Sequence, residues 1–332
     1  MSATNGRRVN GQRVNGCAAE AKESRGRKDH GRLRTAFVGA VEGSRIALQA
    51  LIAQDLKPGL VVTLPRSVAE ARHSDAADLV SVAQAAGIAV HETRSINAEA
   101  TIAVLRDFGA DLMLVIGWSQ ICGADFLALP RLGSIGFHPA ALPRLRGRAV
   151  IPWTILLEEK TAGSTLFWLD EGTDAGPIVL QRTFDLRARE TARSLYDTHT
   201  ANLKLMVPEA VRMVAGGLAP GIEQDEERAV VCARRRPEDG QIDWMCHVDE
   251  VDRLVRAVGD PYPPAFTTVD GERLEVLQAR PVRGGPTFIG FTGQVQAWDS
   301  DEAFLVRCGN GECLRVERWS GPAPRLHARL DT

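Results

Sequence analysis

The chain reads as an α/β protein: a doubly wound, Rossmann-like, mostly parallel sheet followed by a smaller, mostly β C-terminal domain. Three observations predict this. Short apolar runs alternate with segments of helical period through the first two thirds of the chain, the pattern of βαβ units with helices on both sheet faces. After about residue 220 the pattern changes to short strand candidates separated by Gly and Pro. At 332 residues the chain exceeds one ordinary domain. The expected division is a basic tail over 1–32, a first domain over 33–220 and a barrel-like domain over 221–332.

The elements follow in order. Thr35-Ala36-Phe37-Val38-Gly39 reads as a buried strand. Ser44 to Ile52 repeats apolar residues at helical spacing, and Gly43-Ser44 suits the helix start, as a plain cap or as an anion site. Leu60–Leu64 is the second strand, a helix with Leu79, Val80 and Val82 follows, and Ile88–His91 is the third strand. Ala98 to Phe108 is an amphipathic helix, and Asp111–Ile116 is the fourth and most apolar strand. Residues 221–228 are polar and acidic, as in a linker. Beyond them come a helix over Val248 to Val258 and strand candidates at 274–277, 293–297 and 304–308.

Composition excludes several classes. A formal net charge of −2 argues against a dominant nucleic-acid or membrane surface. No apolar run is long enough for a transmembrane helix. Residues 1–32, rich in Arg, Lys, Gly and Asn, lack the apolar region of a secretory signal and read as a disordered tail or a mis-assigned start. The six cysteines form no CxxC, and Cys308 and Cys313 are not spaced as a zinc pair. Free thiols in a cytoplasmic protein, and no metal, are the expectation.

Ligands of such sheets bind beyond the carboxyl ends of the strands, which puts Gly117-Trp118-Ser119-Gln120 in the expected site. Trp118 there either stacks on a ligand or fills the core. Gly133 to Arg148 then places His138 between a short apolar strand and a Pro-bounded turn. Thirty-six positions later comes Leu169-Asp170-Glu171-Gly172-Thr173-Asp174-Ala175-Gly176, a glycine-flanked turn around Asp174. Alone, each is an ordinary packed histidine or turn aspartate.

Together the two segments resemble the folate-dependent formyltransferases, a family that includes methionyl-tRNA formyltransferase and the nucleotide-sugar N-formyltransferases. That family carries Asn-x-His-Pro-Ser-Leu-Leu-Pro-x-x-Arg-Gly and then an Asp-x-Gly loop. The resemblance covers about residues 35–215, and a looser one continues through Arg235–Trp244 and Leu254–Ala257 to Phe266. It implies 10-formyltetrahydrofolate as co-substrate. It implies a His138–Asp174 pair as proton shuttle and orienting carboxylate. It further implies a pterin held by Ile116, Gly117, Trp118, Ser119, Gln120 and Ile121 on one side. Leu169, Glu171, Gly172 and Asp174 hold it on the other. Arg144, Arg146 and Arg148 are candidates for an acceptor phosphate, with the Arg234–Arg236 triplet a weaker one.

The sequence departs from the family where it has Gly136 for the Asn and Ala140 for the Ser. Losing one oxyanion donor costs about 10²–10³ in rate. Three explanations stand. Another donor replaces it: Ser119, Gln120 or a backbone N–H, with Gly136 letting backbone or water come close. The chemistry on a bound folate is altered. Or folate is bound without efficient transfer, as in a binding protein or a formyl-folate hydrolase.

The acceptor is constrained by charge. Residues 225–332 contain 14 Arg, no Lys and 19 Asp plus Glu, giving 14 − 19 = −5. A domain that grips tRNA should be basic. A small amine is therefore expected, a nucleotide-linked amino sugar first and an amino-acid-derived intermediate second, with methionyl-tRNA as the alternative. The sugar-modifying relatives are often dimers, which leaves a homodimer open.

Overall fold

The first strand, Thr35–Val38 (β1), is buried along its whole length, and so are Leu60–Thr63 (β2) and Leu112–Val115 (β4). Continuous burial follows because helices cover both faces of the sheet. This computed structural model describes residues 33–218, 221–284, 286–300 and 302–331. The tail expected over 1–32, and Cys17 within it, lie outside the described residues.

Between and after these strands run Glu42–Ala53 (α1), Arg66–Arg72 (α2), Leu79–Ala85 (α3), Ala89–Glu92 (β3), Glu99–Phe108 (α4) and Ala124–Leu127 (α5). Then come Ser134–His138 (β5), Arg146–Gly147 (β6), Val150–Leu156 (α6), Thr161–Trp168 (β7), Ile178–Asp185 (β8) and Ala192–Ala215 (α7). The sheet order is β3-β2-β1-β4-β5-β7-β8. It is parallel from β3 through β5, while β7 and β8 add as antiparallel strands.

Alternate residues of each strand enter different cores. Phe37, Val61, Leu112 and Leu114 pack with Leu48 and Leu51 of α1 and Leu203, Met206 and Val207 of α7. Ala36, Val38, Val62 and Met113 pack on the opposite face with Ile102 and Leu105 of α4 and Phe126 of α5. Each fully buried Leu or Phe contributes about 1.5–3 kcal/mol, so the doubled core fixes the strand ends rigidly.

The second part of the chain contains Val231–Cys232 (β9), Val248–Ala257 (α8), Ala265–Val269 (β10), Glu272–Pro281 (β11), Val295–Ser300 (β12), Ala303–Arg307 (β13) and Cys313–Ser320 (β14). The last five strands form an antiparallel sheet of order β10-β11-β14-β13-β12. Val248, Val251 and Val255 of α8 pack on it around Trp244, which is 0% exposed and donates its indole N–H to Thr267 Oγ1 at 3.1 Å. The C-terminal segment joins the two sheet edges. Asp331 N–H donates to Thr268 O on β10 at 2.9 Å, and Val295 N–H at the start of β12 donates to Ala328 O at 2.9 Å.

Residues 221–228 are not a free linker. Ile222 bridges Ile178 at the start of β8, and Gln224 and Glu226 reach the loops that follow β5 and β7. Next, β9 pairs in parallel with β6. This pairing carries Arg234 and Arg235 to the carboxyl end of the first sheet.

Candidate active site

At the carboxyl ends of β4 and β5 opens a cleft of about 1140 Å³. It is lined by the segment after β4, the end of β5, the loop after β7, the end of α2 and the segment after β9. Ligands of open parallel sheets bind at such strand ends.

His138 closes β5 and is 4% exposed. Its Nε2 lies 2.6 Å from the carbonyl oxygen of Leu145, which can only accept, so Nε2 carries a proton. In the neutral ring Nδ1 is then the lone-pair nitrogen, and it stands 3.4 Å from Asp174 Oδ2. The same Oδ2 accepts the Gly147 N–H at 2.8 Å. The arrangement can take a proton at Nδ1 and hold the resulting imidazolium against a carboxylate.

The backbone around this pair is specialised. Leu145, Ala149 and Asp174 are non-glycine residues with φ of 60, 53 and 53°, in the left-handed region. Such conformations cost energy and cluster at functional sites. Gly147 has φ 97°, and a Cβ there would stand 2.5 Å from Cys232 O, so only glycine can present its N–H to Asp174.

Of the residues expected at the folate site, Gly117, Trp118, Ser119, Gln120, Ile121, Leu169, Gly172 and Asp174 line the cleft with His138 and Gly136. Ile116 does not: its carbonyl turns away and accepts the Ser44 hydroxyl at 2.5 Å. That hydroxyl also accepts the Ala40 and Val41 N–H groups, so Ser44 ties the start of α1 to the end of β4 and is not an anion site. Glu171 is exposed and outside the lining.

The three arginines part ways. Arg148 lines the cleft, donating to Ser119 O at 2.8 Å. Arg144 turns outward to Glu159. Arg146, 5% exposed, donates to Gln224 at 2.9 Å and to Glu226 at 2.7 Å. Gln224 in turn donates to the carbonyls of Asp174 and Gly176 at 2.9 and 2.7 Å. Arg146 therefore braces the Asp174 loop from behind instead of facing a ligand; its position beside the histidine motif in sequence did not reveal this.

Sequence reasoning gives no role to Arg72, and His73-Ser74-Asp75 resembles a nucleophilic triad only superficially, in an order and spacing unsuited to one; the end of α2 brings Arg72, His73 and Ser74 to the cleft wall. The residues before α2 contain no ligand motif, and only the strand-end rule would have pointed there. His73 Nε2 is 3.4 Å from Ser119 Oγ, and burial pulls His73 below the usual imidazole range against the pull of Asp75. Arg234 and Arg235 also line the cleft, with Arg235 stacked 5.2 Å over the Trp153 ring. Among the described residues, Arg72, Arg148, Arg234 and Arg235 form no ion pair with a carboxylate, while the off-cleft Arg144 and Arg146 do. The lining therefore sets four arginines free of direct ion pairs against three carboxylates, Glu70, Asp170 and Asp174, a small excess of positive charge.

Gly136 does not leave open space for backbone or water. A Cβ built on it would stand 2.5 Å from Leu169 Cδ2, so the Leu169 side chain fills the direction in which an Asn would project. The Gln120 amide is engaged, donating to Arg94 O at 2.7 Å and accepting Ile96 N–H at 3.0 Å. Of the substitutes for the missing amide, the Ser119 hydroxyl and backbone N–H groups remain.

The wall fits a flat ring with hydrogen-bonding edges. Among the described residues, nothing pairs with the backbone N–H and C=O groups of Trp118 and Gln120. The Trp118 indole N–H is buried without a partner. Open backbone groups beside an aromatic side chain suit a pterin-like ligand. Among the described residues no three or more His, Cys, Asp or Glu side chains are placed to hold a metal ion, and no helix is long and apolar enough to cross a membrane.

Residues 37–211 match the formyl transferase family model, and residues 234–323 match that of the formyl transferase C-terminal domain. The chain belongs to the formyl transferase family. It is 32% identical over 286 residues to methionyl-tRNA formyltransferase of Anaeromyxobacter dehalogenans, covering 85% of this chain and 87% of that one. Among solved structures it is similar to HypX from Aquifex aeolicus in complex with tetrahydrofolic acid (TM-score 0.61, 19% identity). That match covers 86% of this chain, which spans under half (44%) of HypX. It is also similar to WlaRD, a sugar 3N-formyl transferase (TM-score 0.59, 15% identity, 90% of this chain and 98% of that one). At these identities the two structures speak for the fold alone.

Behind β5, His199 of α7 is 2% exposed, and burial, with His138 nearby, pulls its pKa down to about 3 from 6.5. Between those values the unfolded chain binds the proton and the folded chain does not, so stability falls as pH drops from 6.5 toward 3. Thermal unfolding across that window is expected to show a steeper loss of Tm in the wild type than in His199→Gln.

Proposed function

We propose that this chain transfers the formyl group of 10-formyltetrahydrofolate to the primary amine of a small molecule bearing an anionic group. A nucleotide-linked amino sugar is the first candidate and an amino-acid-derived intermediate the second. The observation that carries the reading is the His138–Asp174 pair, 3.4 Å apart, in a strand-end cleft whose wall has unpaired backbone groups. Family membership supports the formyl chemistry, and the cleft arginines that make no ion pair support an anionic acceptor.

The folate supplies a formyl group activated on nitrogen. The residues do the rest. The Trp118–Gln120 backbone and the Leu169–Asp174 loop hold the pterin. His138 Nδ1 takes the proton that the attacking amine loses, and Asp174 stabilises the imidazolium. His138 then delivers that proton to the leaving nitrogen. The Ser119 hydroxyl or a neighbouring backbone N–H faces the formyl oxygen as it gains charge. Arg148 and Arg234 hold the acceptor's anionic group.

The methionyl-tRNA reading is favoured by the relative that matches over most of both chains. It is disfavoured by the −5 charge of residues 225–332. One experiment separates the readings. The protein is incubated with 10-formyltetrahydrofolate and, separately, nucleotide amino sugars, amino-acid-derived amines and methionyl-tRNA, with products read by mass and formate measured without any amine. A formyl group gained by a small anionic amine is expected. Transfer only to methionyl-tRNA, or formate release alone, contradicts the proposal.

Gly136→Asn alone is expected to destabilise the protein by about 1–3 kcal/mol, because the new side chain meets Leu169. Pairing it with Leu169→Ala makes room, and the added amide donor is expected to raise kcat by up to about 10²–10³-fold. Denaturant titration and steady-state kinetics on the single and double variants check both parts.

A further inference from the structure

Behind the strand that carries His138 lies a second, smaller cavity of about 160 Å³. Phe137 and Gly117 line both it and the main cleft. Its walls include Val41, Ile116 and Leu203, yet Asp75, Tyr196, Tyr262 and His199 also converge on it. An apolar pocket with a few convergent polar groups is the usual form of a ligand site.

The polar groups have unused capacity. Asp75 Oδ2 accepts the Tyr196 hydroxyl at 2.6 Å, and among the described residues no cation forms an ion pair with this carboxylate. The Tyr262 hydroxyl makes no hydrogen bond among the described residues; burial first, and then the nearby Asp75, push its pKa up against the pull of Arg193. His199 Nδ1 meets Ser164 Oγ at 2.9 Å, while Nε2 is buried with no partner. The Ser164 hydroxyl can serve either tautomer, and in the form protonated at Nδ1 the Nε2 lone pair is free to accept. Because burial keeps His199 neutral, it supplies no counter-charge to Asp75. Gly43 makes the room: a Cβ there would stand 3.2 Å from Leu203 Cδ1 and 3.8 Å from the Tyr196 hydroxyl, so a larger side chain would fill the cavity.

We propose that this cavity binds a short aliphatic ammonium group, with its nitrogen on Asp75 and Tyr262 and its methylenes against the apolar wall. An ammonium offers three donors to a site rich in acceptors and brings the charge that Asp75 lacks. A volume of 160 Å³ holds about five water-sized groups, the size of n-butylammonium. On the transfer reading above, the site receives an aliphatic arm of the acceptor that ends in a second amine. The binding itself does not depend on that reading.

Calorimetric titration of the full chain with n-butylammonium chloride tests the site, with n-butanol and sodium butyrate titrated alongside. Saturable one-site binding of the ammonium is expected, at least about tenfold tighter than either control. Asp75→Asn, which keeps an acceptor for Tyr196, and Gly43→Leu, which fills the space, are each expected to weaken it at least about tenfold and leave tetrahydrofolate affinity unchanged. If Gly43→Leu fails to fold, Asp75→Asn decides the matter. No binding, binding that survives Asp75→Asn, or equal binding of the alcohol or the carboxylate overturns the proposal. Butylammonium binding by a protein that transfers no formyl group would leave this site standing and remove only the proposed function. Formyl transfer without butylammonium binding would do the reverse.

Discussion

Replacing His138 with alanine is expected to lower kcat for formyl transfer by roughly 10²–10⁴-fold, the range that a positioned general base supplies. Tetrahydrofolate affinity should barely change. The reason lies in the tautomer. Leu145 O holds the proton on Nε2 at 2.6 Å, so the only basic atom the ring offers is Nδ1, the nitrogen beside Asp174. No other described side chain is held in that geometry, and the backbone groups of Trp118 and Gln120 that we propose meet the pterin are not touched by the substitution. Steady-state kinetics give kcat, and calorimetry with tetrahydrofolate gives the affinity. Equal losses in both would point to a structural role instead.

Asp174→Asn is expected to cost roughly 10²–10⁴-fold in kcat, on the analogy of removing the carboxylate that stabilises a catalytic imidazolium. The substitution is informative because it changes little else. Asn tolerates the left-handed backbone that Asp174 adopts (φ 53°), and its carbonyl oxygen can still accept the Gly147 N–H. Gln224 holds the residue through its backbone carbonyl, which is unaffected. What disappears is the negative charge 3.4 Å from Nδ1. A thermal melt like that of the wild type, together with the kinetic loss, would assign the effect to charge. Restored activity would show that the carboxylate only positions the ring.

The parts of this architecture that were legible in the sequence are those in which local pattern and tertiary role coincide. β1, β2 and β4 are apolar apart from the terminal Thr35 and Thr63 because both of their faces are covered, and that burial is written directly into their composition. α8 shows its buried stripe of Val248, Val251 and Val255 for the same reason. By contrast, α2 is a polar helix with one fully buried residue, Ala69, so nothing in its periodicity marks it. The antiparallel addition of β7 and β8 depends on pairing between distant residues such as Gly136 and Phe167, which no local signal encodes.

The site divides along the same line. His138, Asp174 and the segment after β4 were readable because motif and strand end fall together. The arginines were not. Arg144 and Arg148 alternate along one short loop, yet only Arg148 meets the cleft; the turn geometry around Leu145 and Gly147 decides which side each takes. Arg146 is claimed by Gln224 and Glu226, some eighty residues away, through the segment expected to be a linker. Leu169 filling the space beside Gly136 is a contact across β5 and β7, visible only once the strands are paired.

The decisive measurement is a crystal structure of the protein with tetrahydrofolate. The pterin ring is expected against the backbone of residues 117–121 and the loop at 169–174, with the nitrogen that carries formyl in the co-substrate facing His138 Nδ1. Density for the ligand elsewhere on the molecule, or none at saturating concentration, would contradict it.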